Sequence, residues 1–191
     1  GIIGHLLGAS RSKVETIILP HANMDEARLL SSLNLVPVRS LREIYEHFTS
    51  GPQIQTSSTP ISLEGPRSYN IDMSDIVGQG HAKRALEVAA AGNHNILLSG
   101  PPGGGKTMLA RALPTILPKL TKKQMVESTH IHSLTVSSVH KIVRTPPFRS
   151  PHHSASHVSL VGGGTRPSPG EISLAHNGVL FLDEISEFSR Q

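Results

Sequence analysis

The 191-residue sequence predicts an α/β fold on three observations. An apolar run, Asn95-Ile96-Leu97-Leu98, leads through a Gly/Pro loop into a helical stretch from Lys106 to Leu113. A second apolar run, Gly178-Val179-Leu180-Phe181-Leu182, ends on two carboxylates and reads as a strand covered on both faces. Residues 1–50 alternate strand-like and helix-like pieces.

The elements follow in order. Thr16-Ile17-Ile18-Leu19 is a short strand stopped by Pro20. Asn23 to Ala27 opens a helix, with Asn23 at the N-cap and Asp25 and Glu26 in the first turn. Leu35-Val36-Pro37-Val38 is a second short strand. Ser40 caps a helix whose apolar positions Leu41, Ile44, Tyr45 and Phe48 keep helical spacing, with Glu43 completing a capping box. Residues 51–70, rich in Ser, Pro and Gly, read as a linker. The chain therefore divides into 1–50, 51–70 and 71–191. His81 to Gly92 reads as a helix with Ala82, Ala85, Leu86, Ala89 and Ala90 on one stripe. Asn95–Leu98 reads as a buried strand, and the helix from Lys106 is expected to stop before Pro114. Residues 127–191 are less regular, rich in Ser, Gly, Pro and His, until the final apolar run.

Composition excludes several classes. Hydrophobic residues are 37% and charged residues 17%, and no apolar run approaches the roughly 20 residues of a membrane-spanning helix. No N-terminal stretch has the order of a signal peptide. The absence of Cys removes disulfide frameworks and thiolate metal sites, and fits a cytoplasmic location. The net charge is +4; residues 1–70 hold six basic and six acidic residues, so the excess lies in 71–191. A solvated basic surface is the plain reading, and an anionic ligand is compatible. The chain starts on Gly1 and stops at Gln191, just after an acidic motif, and is read as a piece of a longer protein.

Gly100-Pro101-Pro102-Gly103-Gly104-Gly105-Lys106-Thr107 matches the phosphate-binding pattern G-x-x-x-x-G-K-[ST], between a predicted strand and a predicted helix as the mechanism needs. Its glycines let backbone N–H groups turn toward phosphate oxygens, and the helix behind adds its N-terminal dipole. Lys106 is assigned to the β- and γ-phosphates of ATP, and Thr107 to Mg²⁺ through its hydroxyl. Asp183, at the end of the last apolar run, is the second candidate for the Mg²⁺ shell. Glu184 is the candidate general base that polarises the attacking water. Ile76 and Val77, before the first helix of this part, either pack on the adenine ring or serve as ordinary core.

His130, His132, His140, His152, His153 and His157 fall in one stretch. With no Cys, and with Pro151 beside the closest pair, polar loop residues, or contacts to a neighbouring subunit or DNA, fit better than a zinc site. Gly162-Gly163-Gly164 and Arg166-Pro167-Ser168-Pro169-Gly170 read as a hairpin or loop, without the Lys-Ser/Thr of a second phosphate site. Arg166 is either an exposed cation or a contact for an anionic partner.

Asp75 to Gly80, the phosphate loop, Phe148 to Ser156 and Pro169 to Glu184 together resemble the magnesium-chelatase-like AAA+ ATPases, and within them the bacterial ComM/YifB branch. The resemblance covers nearly all of 71–191. Ile18 to Asn23, with Glu26 and Ala27, looks like the end of the Lon-protease-like (ribosomal S5 domain 2-like) domain that precedes the ATPase in that branch. A separate chelatase subunit is not expected to carry it. No Ser-Lys protease pair is assignable, and no protease activity is expected.

The resemblance implies a P-loop doubly wound parallel sheet, a hairpin insert around 150–175 that projects toward a ring pore, and a homo-hexamer. It implies ATP hydrolysis coupled to DNA remodelling, as branch migration in natural transformation. DNA is thus a candidate partner, and no membrane is expected. Metal insertion into a porphyrin, as by a chelatase subunit, and a nucleotide-gated regulator without turnover are the alternatives. A sensor residue, an arginine finger and a helical lid are expected beyond Gln191, so this stretch alone is expected to be a weak ATPase or none.

Overall fold

The computed structural model describes residues 1–30, 33–49, 54, 62, 69–135 and 142–188. Most of the 51–70 linker, and His140, lie outside the described residues. In chain order the elements are α1 (Ile3–Arg11), β1 (Thr16–Pro20), α2 (Met24–Ala27), β2 (Asn34–Val38), α3 (Leu41–Phe48), α4 (Gly80–Gly92), α5 (Lys106–Ile116), α6 (Lys122–Ser133), β3 (Phe148–Arg149), α7 (His157–Val161), β4 (Gly162–Gly163), β5 (Ser168–Pro169), α8 (Glu171–Leu174) and β6 (Val179–Leu180). β1 pairs with β2 and β3 with β6, both parallel, while β4 and β5 form an antiparallel hairpin. The architecture is mixed α/β. It divides into two units, Gly1–Glu64 with Lys122–Val143, and Gly65–Thr121 with Arg144–Gln191.

In the first unit, β1 and β2 run in register from Thr16 opposite Asn34 to Pro20 opposite Val38. Pro37 is tolerated because a two-stranded sheet has only edge strands. Leu19 and Leu35 join Leu6, Met24, Ala27 and Leu33 in the core. Leu6 comes from α1, which the strand-and-helix reading of 1–50 lacks; its apolar residues keep helical spacing, but Gly4 and Gly8 dilute the signal. Ser40 caps α3 as expected, its Oγ accepting from Glu43 N at 3.3 Å. The return arm differs: the Glu43 carboxylate accepts from Arg39 N at 2.8 Å, one residue earlier than a capping box requires. Asn23 makes no side-chain cap to α2, which continues directly from a 3₁₀ turn over His21–Asn23.

Helix α6 also packs in this unit, although the division by sequence assigns 71–191 to one segment. Its Val126 packs with Ile3 and Leu29. Thr129, fully buried on the same helix, accepts from Val143 N at 3.0 Å.

The second unit is built on α4 and α5. Met73, Ile76, Leu86, Ala90, Leu109, Ala112 and Leu113 form its core. A capping box orders the approach to α4: Asp72 accepts from Ser74 N at 2.9 Å, and Asp75 accepts from Asp72 N at 2.8 Å. Met73 N donates to the buried Thr115 Oγ1 at 3.2 Å, tying this approach to the end of α5.

Three expectations are corrected in this unit. Asn95–Leu98 forms no strand, and Leu97 is 81% exposed. An extended segment becomes a strand only when a neighbour takes its N–H and C=O groups, and no ladder among the described residues includes it. The run at 178–182 is likewise half-buried rather than covered on both faces, with only Val179 and Leu180 in a ladder. Helix α5 continues through Pro114 to Ile116. The proline sits in the last turn, where its missing N–H removes a single bond, and Thr115 Oγ1 donates back to Ala112 O at 2.7 Å.

Candidate functional site

The loop from Gly100 to Gly105 delivers the chain into α5 with no side chain capping the helix. Gly103 and Gly105 have φ of +76° and +78°, a left-handed conformation that costs other residues about 1–2 kcal/mol. The uncapped N–H groups at the start of α5 and the helix dipole behind them suit an anion. Lys106 is folded back on the loop, its Nζ donating to Gly100 O and Pro101 O, both at 2.9 Å. Two neutral carbonyls are weak competitors for an ammonium, so a phosphate would displace them.

The two sequence motifs meet. Thr107 Oγ1 donates to Asp183 Oδ2 at 3.1 Å across 76 positions of sequence. Strand β6 leads to Asp183: Val179 N donates to Pro147 O and Phe181 N to Arg149 O, both at 2.8 Å, fixing β6 on β3. Phe148 and Phe181 stack at 6.2 Å beside this pairing. A hydroxyl and a carboxylate side by side are hard oxygen donors. They fit Mg²⁺, which takes one or two protein oxygens and keeps its water. Among the described residues no group of three or more His, Asp or Glu could hold a metal.

Glu184 follows in a left-handed conformation, φ +53°, with its side chain 68% exposed. Its Oε2 lies 3.7 Å from His153 Nδ1. The His153 ring packs at 4.0 Å on His152, whose Nδ1 is 2.8 Å from Ser154 Oγ. A cleft of about 860 Å³ is lined by Gly100, Lys106, Asp183 and Glu184 among others. Ile76 is buried in the core, the plainer of its two readings, whereas Val77 stands 92% exposed.

Two features escape the sequence reading. Gln79, itself left-handed at φ +56°, donates its side-chain amide to Gly104 O at 3.2 Å and so ties the start of α4 to the phosphate loop. Arg149 forks onto Glu171, with Nε to Oε2 at 2.5 Å and a terminal nitrogen to Oε1 at 2.6 Å. The hydrogen bond to Glu171, then its charge, raise the Arg149 pKa against the lowering effect of burial. Neither pair has a spacing that a sequence pattern marks. The predicted hairpin is present as β4–β5, with Arg166 exposed in its turn.

The sequence model of the family described as magnesium chelatase, subunit ChlI, matches residues 72–191. The chain is 46% identical over 196 residues to the competence protein ComM of Haemophilus influenzae, covering all of this chain and 38% of that protein. It is 47% identical over 176 residues to the uncharacterized protein YifB of Escherichia coli, covering 92% of this chain and 34% of that one. A more distant likeness, 30% over 138 residues, links 66% of the chain to 25% of Lon protease 2 of Bacillus subtilis. The chain thus spans little more than a third of the length of ComM and YifB.

Proposed function

Because the chain belongs to the magnesium chelatase family, with ComM and YifB as relatives, we propose that it carries the ATP site of an AAA+ P-loop ATPase. The hydrogen bond from Thr107 to Asp183 carries this reading, since it brings a phosphate-loop hydroxyl and an acidic strand end to one point. In the proposed mechanism the loop N–H groups and the start of α5 cradle the phosphates. Lys106 leaves the Gly100 and Pro101 carbonyls for the β- and γ-phosphate oxygens. Thr107 and Asp183 hold the Mg²⁺ shell, which when bound neutralises charge on the phosphates. Glu184 orients and deprotonates the attacking water. Val77, exposed before α4, is the candidate for the adenine face.

The intact protein is proposed to act in the cytoplasm as a homo-hexameric ring, with each neighbour supplying an arginine to the site. Among the described residues no helix is long and apolar enough to cross a membrane. The coupled work is proposed to be DNA remodelling by branch migration; the Haemophilus influenzae relative, 46% identical across this whole chain, is named a competence protein. Metal insertion into a porphyrin is the second reading, favoured by the name of the matching family.

The test is ATP turnover by the full-length protein, alone, with branched DNA, and with a porphyrin and Mg²⁺. Stimulation by DNA alone supports the DNA reading, and stimulation by porphyrin alone transfers the function to metal insertion. ATP binding without turnover under all three conditions leaves a nucleotide-gated regulator. Lys106→Ala should abolish ATP binding; wild-type affinity in that variant removes the phosphate-loop assignment.

A further inference from the structure

Arg149 and Glu171 stand at the two ends of one excursion of the chain. Between them, residues 150–170 carry α7 and the β4–β5 hairpin before the chain returns through α8. Arg149 is the last residue of β3, opposite Leu180 of β6, and its carbonyl accepts from Phe181 N. Glu171 opens α8, whose Leu174, with the adjoining Ala175, is buried. The fork therefore closes the base of the excursion directly on the strand pair that leads to Asp183 and Glu184. Four residues into the excursion, His153 makes the 3.7 Å contact with the Glu184 carboxylate. The excursion thus meets the acidic segment in two ways: its base pairs through β3 with the strand β6 that precedes Asp183, and near its start His153 contacts Glu184.

The geometry of the fork is more specific than stability requires. A half-buried ion pair contributes little net stability, because desolvation offsets attraction. A two-bond fork instead fixes orientation, since a planar guanidinium and a planar carboxylate meet in one arrangement. The side chains are 36% and 19% exposed, shielded enough to keep that arrangement.

We infer that Arg149 and Glu171 are positioning residues that hold the 150–170 excursion in register with the β3–β6 pair. Through His153 they set where the Glu184 carboxylate lies, and thereby the rate of ATP turnover. The inference rests on the reading of Glu184 as the base in ATP hydrolysis.

The test is a double-mutant cycle in the full-length protein with Arg149→Gln, Glu171→Gln and the double variant. Each single variant should lower kcat roughly two- to thirty-fold, the range of a 0.5–2 kcal/mol coupling. ATP affinity should stay within about twofold, since neither residue faces the phosphate loop. The double variant should cost no more than the worse single variant, as expected of a pair that acts as one unit. Additive losses, an unchanged kcat, or parallel losses of kcat and ATP affinity overturn the inference.

A second measurement needs no turnover. Amide hydrogen exchange of nucleotide-free Glu171→Gln, which keeps the shape of the side chain, should quicken in 150–156 and in 182–186 but not in 106–116. Quickening confined to 165–175 overturns the route to Glu184. If the wild-type protein does not hydrolyse ATP, the ATPase reading falls on its own, and the exchange pattern still decides whether the fork positions Glu184.

Discussion

Gly178→Ala tests whether the β3–β6 pair is what brings the acidic motif to the phosphate loop. A Cβ built at Gly178 would lie 2.1 Å from Pro147 O, 2.6 Å from Pro147 Cδ and 2.7 Å from Pro147 N. Most of that obstacle is backbone, so no rotamer change relieves it. Relief requires β6 to draw back from β3 by about 1 Å, the gap between 2.1 Å and an ordinary carbon–oxygen contact. That shift stretches the 2.8 Å bond from Val179 N to Pro147 O beyond hydrogen-bonding distance. A lost neutral hydrogen bond costs about 1 kcal/mol, with about 1–3 kcal/mol more if a buried partner stays unsatisfied. The functional cost is larger, because Asp183 and Glu184 follow β6 within four residues, and a misplacement of about 1 Å can cost roughly 100-fold in rate. The assay is single-turnover ATP hydrolysis beside thermal unfolding of the same full-length variant. We expect kcat to fall at least about tenfold with a modest loss of stability. Wild-type turnover in a folded Gly178→Ala would refute the claim that this close approach positions the carboxylates.

Thr107→Val keeps the shape of the side chain and removes the donor to Asp183. It should raise the Mg²⁺ concentration needed for half-maximal turnover, checked by a magnesium titration at saturating ATP. Gln79→Ala and Gln79→Gly both delete the amide that reaches Gly104 and should both weaken ATP binding by roughly 0.5–1.5 kcal/mol, read by calorimetry. The glycine variant should be the more stable of the two, because φ of +56° is strained for alanine alone. Glu184→Gln should bind ATP with wild-type affinity and not turn it over; normal turnover would assign the base elsewhere.

The sequence revealed more of the site than of the sheet, and for a physical reason. The proposed phosphate loop is a local device: its glycines, lysine and threonine sit at fixed offsets, so the Gly100–Thr107 pattern can be read directly. The acidic end at Asp183 is legible for the same reason, as an apolar run closed by carboxylates. A strand is not local. Asn95–Leu98 has strand composition, yet it is a strand only where a neighbour pairs with it. The N-terminal part shows the contrast again. β1, β2 and the Ser40 cap follow from short patterns. α6 does not, because it buries Ser128 and Thr129 beside Met125 and Val126, and a helix that buries hydroxyls has no clean apolar stripe. Arg149 and Glu171 are 22 positions apart, and Gln79 and Gly104 are 25 apart; only the folded chain makes either pair.

Among the described residues Gln79 and Glu184 are two of the five non-glycine residues with positive φ, and both lie at the candidate site. Strain kept beside a reacting group is expected where geometry outweighs stability. Glu184 allows the point to be measured. At an ordinary helical or strand position Gly is less stable than Ala by about 0.5–1 kcal/mol. At φ of +53° the left-handed penalty of about 1–2 kcal/mol falls on Ala and not on Gly. The unfolded-chain entropy of Gly returns about 0.4–1 kcal/mol of that. Glu184→Gly should therefore be as stable as Glu184→Ala or more stable, by up to about 1.5 kcal/mol. Both variants should lack turnover, so the difference isolates the backbone from the carboxylate. Thermal unfolding of the nucleotide-free full-length pair decides it. A Glu184→Gly variant clearly less stable than Glu184→Ala means that this residue is not held left-handed, and that the carboxylate reaches its place without stored strain.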